Sequence, residues 1–446
     1  MRQLFGTDGI RGLADEYPLD DATMAALGAV LARRLRTTRE PHPEILLGMD
    51  TRESGPRIAR ALAAGIAHGG GKATLIGVVP TPGVAYLCRM GDYSAGISIS
   101  ASHNPWRDNG VKVFGHDGMK LPDALELEIE KELLDERDET FDVSSHSLPS
   151  ESESLIEQYE QFLVDGAGGT LGGMKIVIDA GHGAAHRIAP EVFRRAGAEV
   201  VLMNAAPDGR NINEGSGALH PEGMARRVVD EGASFGVAFD GDADRAIFAD
   251  DRGAVRDGDE IIYLWAQNLR RDGALAANAV VATVMSNFGF EKKLAQEGIR
   301  LLRAQVGDKY VLETMLREGA VLGGEQSGHI IDLRVHTTGD GIHTAVEVAK
   351  FLAASRKRFS EMETFPRTPQ LLVNETVASK PPLDSLPRYQ KEARAAEAEL
   401  AGSGRVLVRY SGTENLVRVM VEGEDESKIR AIAERLRQTL RDEIGS

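Results

Sequence analysis

Ser234-Phe-Gly-Val-Ala-Phe239 runs straight into Asp240-Gly-Asp-Ala-Asp244-Arg245, so an apolar stretch ends abruptly in three carboxylates spaced two apart. On an extended segment, side chains two apart point the same way. Asp240, Asp242 and Asp244 can therefore converge on one hard cation, and carboxylate oxygens suit Mg²⁺. Arg245 adds a fixed positive charge suited to phosphate. A calcium-binding EF-hand also begins D-x-D-x-D, but its sixth position needs Gly and its twelfth Glu. Here those positions hold Arg245 and Asp251, which excludes that reading.

The same ending recurs on either side of this segment, in Ile97-Ser-Ile-Ser-Ala-Ser-His-Asn-Pro105 and in Val321-Leu-Gly-Gly-Glu-Gln-Ser-Gly-His329. In open α/β sheets ligands bind beyond the carboxyl ends of strands, so the three loops are expected to face one cleft. Helical and extended patterns alternate along most of the chain, as in α/β proteins. The spacing predicts helices over 19–36, 56–67, 123–135, 155–164, 189–196, 221–230, 260–269, 309–316 and 341–353. It predicts strands over 44–48, 73–76, 95–99, 175–178, 199–203, 235–239, 279–283 and 300–304, and a strand-like segment before Gly323. The Ser/Glu-rich stretch 144–154 reads as a boundary, and Pro366, Pro369, Pro381 and Pro382 punctuate a change of character. Beyond them, strands near 371–377, 404–409 and 416–422 combine with helices over 386–400 and 426–440. The expected division is 1–154, 155–256, 257–368 and 369–446.

The totals agree with several cores. At 446 residues, with 42% hydrophobic and 27% charged residues, the chain is too long for one core and has apolar mass for three or four. Its net charge of −16 disfavours nonspecific binding to nucleic acid or an anionic membrane, so a site for an anionic substrate must be locally basic. Cys88 is the only cysteine, which excludes an intramolecular disulfide and a cysteine-rich metal site and fits a reducing compartment. No stretch is apolar over the roughly eighteen residues a membrane span needs, and a cytoplasmic location is expected.

Ser102-His103-Asn104-Pro105 sets a hydroxyl and an imidazole at a strand end, with Asn109-Gly110-Val-Lys112 downstream. Ser102 is a candidate nucleophile, although spacing does not choose among Ser98, Ser100 and Ser102. It lacks the Gly-x-Ser-x-Gly flanks of a hydrolase elbow. Phosphoryl transfer suits it better, since a metal and cationic side chains then supply catalysis by positioning and charge. His103 and Lys112 are candidate proton carriers. Arg409-Tyr-Ser-Gly-Thr-Glu-Asn415, followed by Arg418, offers backbone N–H groups and the hydroxyls of Ser411 and Thr413 around Gly412 between two guanidiniums, an anion pocket. Glu325-Gln-Ser-Gly-His329 suits sugar hydroxyls. In Gly6-Thr-Asp-Gly-Ile-Arg-Gly12, Thr7 and Arg11 are consistent with phosphate contact. Gly181-His-Gly183-Ala-Ala-His186 lacks the third glycine of a dinucleotide fingerprint, and Gly69-Gly-Gly-Lys72 lacks the leading glycine of a P-loop, so neither a nicotinamide cofactor nor ATP is expected.

Taken in order, Gly6 to Gly12, Ser100-Ala-Ser-His-Asn-Pro105, Asp240 to Arg245, Gly324-Glu-Gln-Ser-Gly-His329 and Arg409 to Glu414 resemble the α-D-phosphohexomutase family over nearly the whole chain. Phe5, Ala243 and Gln326 point within it to bacterial members acting on glucosamine phosphates. The resemblance implies three consecutive α/β domains with mixed sheets sandwiched by helices, and a smaller α+β C-terminal domain, around a central cleft. It selects Ser102 as the phosphorylated serine and gives Mg²⁺ to Asp240, Asp242 and Asp244 together with the phosphoserine oxygen of Ser102. Glu325 and Ser327 would read sugar hydroxyls, and Arg409, Ser411, Gly412, Thr413 and Arg418 would grip the phosphate that is not reacting. His103, Lys112, Arg245 and His329 all remain candidates for proton or charge handling. A hexosamine phosphate substrate and a sugar bisphosphate primer follow from the same resemblance. Either a kinase or a bisphosphate donor is compatible with the first phosphorylation of Ser102, and a homodimer is compatible with the resemblance.

Overall fold

The computed structural model describes residues 4–6, 8–38, 40–135, 140–169, 171–411 and 415–445. They fall into two compact units, one of residues 1–283 and 304–363, the other of residues 284–303 and 364–446.

The first sheet contains β1 (Phe5–Gly6), β2 (Gly9–Leu13), β3 (Glu44–Met49), β4 (Lys72–Val78), β5 (Ala95–Ile99) and β6 (Asp108–Gly115) in the order β1-β2-β6-β5-β3-β4. The pairs among β5, β3 and β4 are parallel, and those running out through β6 and β2 to β1 are antiparallel. β3 and β5 are buried over nearly their whole length, as strands covered on both faces must be. Around them run α1 (Asp21–Leu35), α2 (Gly55–His68), α3 (Thr81–Met90) and α4 (Asp123–Asp135). α1 starts where the Asp20 side chain accepts the Thr23 N–H at 3.0 Å, satisfying a donor that the first turn cannot. α1 and α2 touch backbone to backbone. A Cβ on Gly65 would lie 1.8 Å from the Ala25 carbonyl oxygen, and one on Gly28 would lie 2.4 Å from that of Leu62.

The connecting helix α5 (Glu153–Ala167) precedes the second sheet, made of β7 (Lys175–Asp179), β8 (Glu199–Met203), β9 (Phe235–Phe239), β10 (Ala246–Asp250) and β11 (Val255–Arg256) in the order β11-β10-β9-β7-β8. α6 (Ala185–Arg195) and α7 (Glu222–Glu231) provide its crossovers. Next come α8 (Gly258–Arg271) and β12 (Ala279–Thr283); then α9 (Phe288–Gln296) and most of β13 (Arg300–Ala304), which belong to the second unit. The first unit resumes with α10 (Asp308–Glu318), β14 (Leu322–Gly324), β15 (Ile330–Asp332) and α11 (Gly341–Ser355), with β14 parallel to β12 and antiparallel to β15. The second unit closes with the antiparallel sheet β16-β18-β17, from β16 (Gln370–Thr376), β17 (Gly404–Tyr410) and β18 (Leu416–Gly423), covered by α12 (Pro387–Leu400) and α13 (Glu426–Ile444). The chain thus carries four sheets with their helices, mixed in the first three and a small three-stranded antiparallel one at the C-terminus. No described helix is long and apolar enough to cross a membrane.

β1, β2, α3, β6, β10, β11, α9 and β15 are absent from the expected elements. β6 carries Asp108-Asn-Gly110, which reads as a turn, but the strand forms because Gly110 pairs with Arg11 of β2 and Lys112 with Ser98 of β5. Pairing from both sides overrides the weak local preference of Asn and Gly for strands.

Asp332, at the end of β15, ties that strand to α11. It accepts from Arg334 Nε at 2.8 Å, from Arg334 Nη2 at 2.6 Å and from His343 Nε2 at 3.3 Å. Burial opposes its charge, yet His343 and Arg334 outweigh that and pull its pKa down from 3.8 to about 2. A lowered carboxylate pKa contributes stability that is complete above the unfolded value and is lost as the pH falls through the folded one. Asp332→Asn is therefore expected to cost about 2 kcal/mol at pH 7, with the gap to wild type closing between about pH 4 and pH 2. Urea unfolding midpoints across that range check it, and a gap independent of pH would refute the ionic origin.

Candidate active site

Three strand ends of the first unit supply the site: β5 leads into Ser100–Pro105, β9 into Asp240–Arg245 and β14 into Glu325–His329. Ser102 sits at φ +53°, in the left-handed region that few non-glycine residues enter, and its hydroxyl donates to Asp240 Oδ2 at 2.6 Å. The loop after β9 can come this close because position 241 is glycine. A Cβ there would stand 2.6 Å from the Ser102 carbonyl oxygen. Beneath it lies Gly183, whose Cβ would meet the Gly241 carbonyl oxygen at 2.4 Å, while the Ala184 N–H donates to that oxygen at 2.8 Å. The Gly181-His-Gly183 turn therefore supports the acidic loop.

Asp240, Asp242 and Asp244 are all buried, and one oxygen from each lies within 4.8 Å of the others. Asp240 accepts through both oxygens, from the Ser102 hydroxyl and the Arg245 N–H, whereas Asp242 and Asp244 are each hydrogen-bonded through one oxygen only. Asp242 Oδ2 accepts from Thr81 Oγ1 at 2.7 Å and from Lys112 Nζ at 3.0 Å, and Asp244 Oδ2 accepts from Lys112 Nζ at 3.1 Å. Asp242 Oδ1 and Asp244 Oδ1 are buried with no hydrogen-bond partner. Orphaned carboxylate oxygens are costly unless something meets them. Burial, and then the charges of Asp244 and Asp242, push the Asp240 carboxyl well above its usual range. Two unmet oxygens and a surplus of negative charge are the conditions that a hard divalent cation relieves, so these residues fit one.

The cations around the triad are fixed. Lys112 is 1% exposed, and although burial disfavours its charge, Asp242, Asp244 and Asp8 hold its pKa well above the ordinary lysine value. Arg245 is only partly buried; burial disfavours its charge too, but Asp244 and Asp240 outweigh that and raise its pKa. Its Nη1 lies 3.2 Å from His103 Nδ1, and that nitrogen is 3.3 Å from the Ser102 hydroxyl. Burial, then Arg245 and Arg11, lower His103 to about 4, so its imidazole is neutral at pH 7. His329 Nδ1 lies 3.6 Å from Asp244 Oδ2, and Nε2 accepts the Gly339 N–H at 3.1 Å, so the proton of the neutral ring sits on Nδ1. Burial disfavours the charged ring, but Asp244 and Asp308 outweigh it and raise its pKa.

Sequence reasoning missed the groups that complete this network. Asp8 pairs with Arg11, Lys120 and Lys112, and Lys120 bridges Asp8 to Asp308. Thr81 and Asp308 carry no local motif. Asp8 stands inside the Gly6–Gly12 segment between the two residues that drew attention there. Glu325 Oε1 accepts the Gly307 N–H at 3.1 Å, and the exposed Ser327 hydroxyl donates to Glu325 Oε2 at 3.3 Å. Thr7 lies outside the described residues, as do Gly412 and Thr413.

In the second unit, Arg409 of β17 and Arg418 of β18 stand directly opposite each other. Burial and the charge of Arg418 lower the Arg409 pKa. Like charges across a strand pair are unfavourable unless an anion lies between them. Ser411 follows at the strand end, where its carbonyl accepts from Lys380 Nζ at 2.8 Å.

Four phosphoglucomutase/phosphomannomutase family profiles match the chain in sequence: alpha/beta/alpha domain I at residues 2–140, domain II at 153–253, domain III at 257–367 and the C-terminal domain at 372–439. A phosphoglucosamine mutase of Solibacter usitatus is 48% identical over 445 residues, covering 100% of this chain and 99% of the relative. One from Symbiobacterium thermophilum is 45% identical with full coverage of both. Among solved structures, a phosphoglucomutase/phosphomannomutase family protein from Burkholderia thailandensis superposes with a TM-score of 0.79 at 22% identity, covering 99% of this chain and 98% of the other. An Aspergillus fumigatus N-acetylphosphoglucosamine mutase superposes with a TM-score of 0.68 at 18% identity, covering 99% and 96%.

Proposed function

Because the chain belongs to the phosphoglucomutase/phosphomannomutase family, and to its phosphoglucosamine mutase branch, we propose that it is an isomerase interconverting glucosamine 6-phosphate and glucosamine 1-phosphate through a phosphorylated Ser102. The observation that carries the chemistry is the Ser102 hydroxyl 2.6 Å from Asp240 at the mouth of the acidic triad. The division of the chain at residues 154, 256 and 368 goes with this reading.

In the forward half, the Ser102 Oγ–phosphorus bond breaks as the sugar's free 1- or 6-oxygen bonds to phosphorus; that oxygen gives up its proton and the released Ser102 oxygen takes one up. A sugar bisphosphate results. After it turns end for end, its other phosphoryl group returns to Ser102, and the product oxygen takes a proton back. Asp240, Asp242 and Asp244, with a phosphoryl oxygen on Ser102, would hold Mg²⁺, which when bound offsets negative charge on the transferring group. Lys112 and Arg245 add fixed positive charge beside Ser102. His103 and His329 are the imidazoles available to hold the proton. Glu325 and Ser327 would read the sugar hydroxyls, Thr7 and Arg11 would contact phosphate, and Arg409, Ser411, Gly412, Thr413 and Arg418 would bind the phosphate that is not reacting. A sugar bisphosphate would prime Ser102 by donating its phosphoryl group.

Turnover of glucosamine, glucose and mannose monophosphates, followed by ³¹P NMR in the presence of a catalytic amount of hexose 1,6-bisphosphate, tests this. Glucosamine phosphates are expected to give a kcat/KM at least about tenfold above the neutral sugars. A preference for glucose or mannose would overturn the substrate, and steady release of inorganic phosphate without isomer would overturn the mutase reading in favour of a phosphatase.

A further inference from the structure

Asp50-Thr-Arg-Glu53, the segment leaving β3, carries no motif that the phosphoryl chemistry uses, yet it holds a fully buried ion pair under the Ser102 loop. Arg52 is 1% exposed and all five of its guanidinium N–H groups are engaged. Nε donates to Asp50 Oδ2 at 2.9 Å. Nη1 donates to the carbonyls of Pro105 and Asp108, the latter at 2.9 Å. Nη2 donates to the carbonyls of Ser102 at 3.1 Å and Asn104 at 2.8 Å. Three of the five bonds therefore end on backbone of the serine loop and a fourth on the first residue of β6. Asp50 completes the cage by accepting from Ser100 Oγ at 2.6 Å, and that oxygen accepts the Ser102 N–H at 2.8 Å. From the second sheet's side, Asn213 Nδ2 donates to the carbonyls of Ser102 at 3.0 Å and Asn104 at 3.2 Å.

We propose that Arg52 is a positioning residue for phosphoryl transfer: with Asn213 it clamps the carbonyls of the Ser102 loop, holding Ser102 in its left-handed conformation with the hydroxyl aimed at Asp240. The inference rests on the functional reading above. Left-handed serine is intrinsically unfavourable and persists only when its surroundings over-determine it. Here both peptide groups flanking Ser102 are held. The loop also gains and loses a dianionic group in every catalytic cycle, and a loop held by its serine side chain alone would shift between the two states. A planar five-donor fork reaches four carbonyls at once, which a lysine ammonium with three donors on one atom cannot do.

Arg52→Lys, Asn213→Ala and wild type are compared for kcat, for KM toward glucosamine phosphate, and for single-turnover transfer from Ser102-phosphorylated protein, with folding checked by near-UV circular dichroism. In Arg52→Lys, kcat and the single-turnover rate are expected to fall together by roughly 100-fold, with KM within about twofold of wild type. Asn213→Ala is expected to lose roughly tenfold in the same pattern. A folded Arg52→Lys protein with wild-type kcat, or a loss confined to KM, overturns the inference. Should Arg52→Lys fail to fold, Asn213→Ala decides: an unchanged kcat overturns the clamp, and a fall in kcat at constant KM supports it. A wild-type protein that moves no phosphoryl group sinks the functional reading as well, whereas active wild type with equally active variants sinks this inference alone.

Discussion

Ser102→Ala is expected to lower interconversion of the sugar phosphates by at least about a thousandfold while leaving the protein folded. The size follows from the route. Without an oxygen at this position no covalent carrier exists, and the sugar's two phosphate positions are linked only through that carrier. The fold should survive because the side chain lost is small and its one strong contact is with Asp240 at 2.6 Å, a carboxylate that burial and Asp244 already push toward its neutral form. A change in stability of about 1 kcal/mol is expected. Two measurements check it: initial rates, and the intact mass after incubation with a hexose 1,6-bisphosphate. Wild type should gain one phosphoryl group that the variant does not. Normal turnover by the purified variant would refute the assignment of Ser102.

Lys112→Met is expected to be the most destabilising single change near the site. Lys112 is buried with its Nζ 3.0 Å from Asp242, 3.1 Å from Asp244 and 3.3 Å from Asp8. Removing one partner from a buried ion cluster leaves the others uncompensated, which costs about 3–5 kcal/mol. That figure applies to metal-free buffer containing a chelator. A ligand that binds only the native state stabilises it in proportion to its affinity, so adding millimolar Mg²⁺ should raise the variant's unfolding midpoint and recover part of the loss. Denaturant unfolding with and without Mg²⁺ provides the readout. A variant as stable as wild type in chelator would show that Lys112 does not balance these carboxylates.

How far the chain could be read residue by residue depended on where information was local. Asp240, Asp242 and Asp244 announce themselves by alternation at a strand end, and the structure brings them within 4.8 Å of one another. His103 and Arg245, both named from motifs, meet in space at 3.2 Å. Arg52 could not be found this way. Its function lies in contacts with residues about fifty positions later, and Asp-Thr-Arg-Glu has no distinguishing composition. Asp308 is of the same kind, since its contacts with Lys120 and His329, both distant in sequence, are what draw it toward the site. Strand β6 went unread because its Asn and Gly are weak strand formers and its neighbours in the sheet supply the pairing that holds it.

The sequence by itself determined the chemistry in hand: which loops carry carboxylates, hydroxyl, imidazole and guanidinium, and that each follows an apolar run, because strand periodicity and loop composition are properties of neighbouring residues. Only the tertiary structure decided which serine faces the acids, which carboxylate oxygens are left unmet, and which buried arginine holds the loop in place. Those are contacts between residues as many as 161 positions apart, and burial in a low-dielectric interior is what gives them their strength.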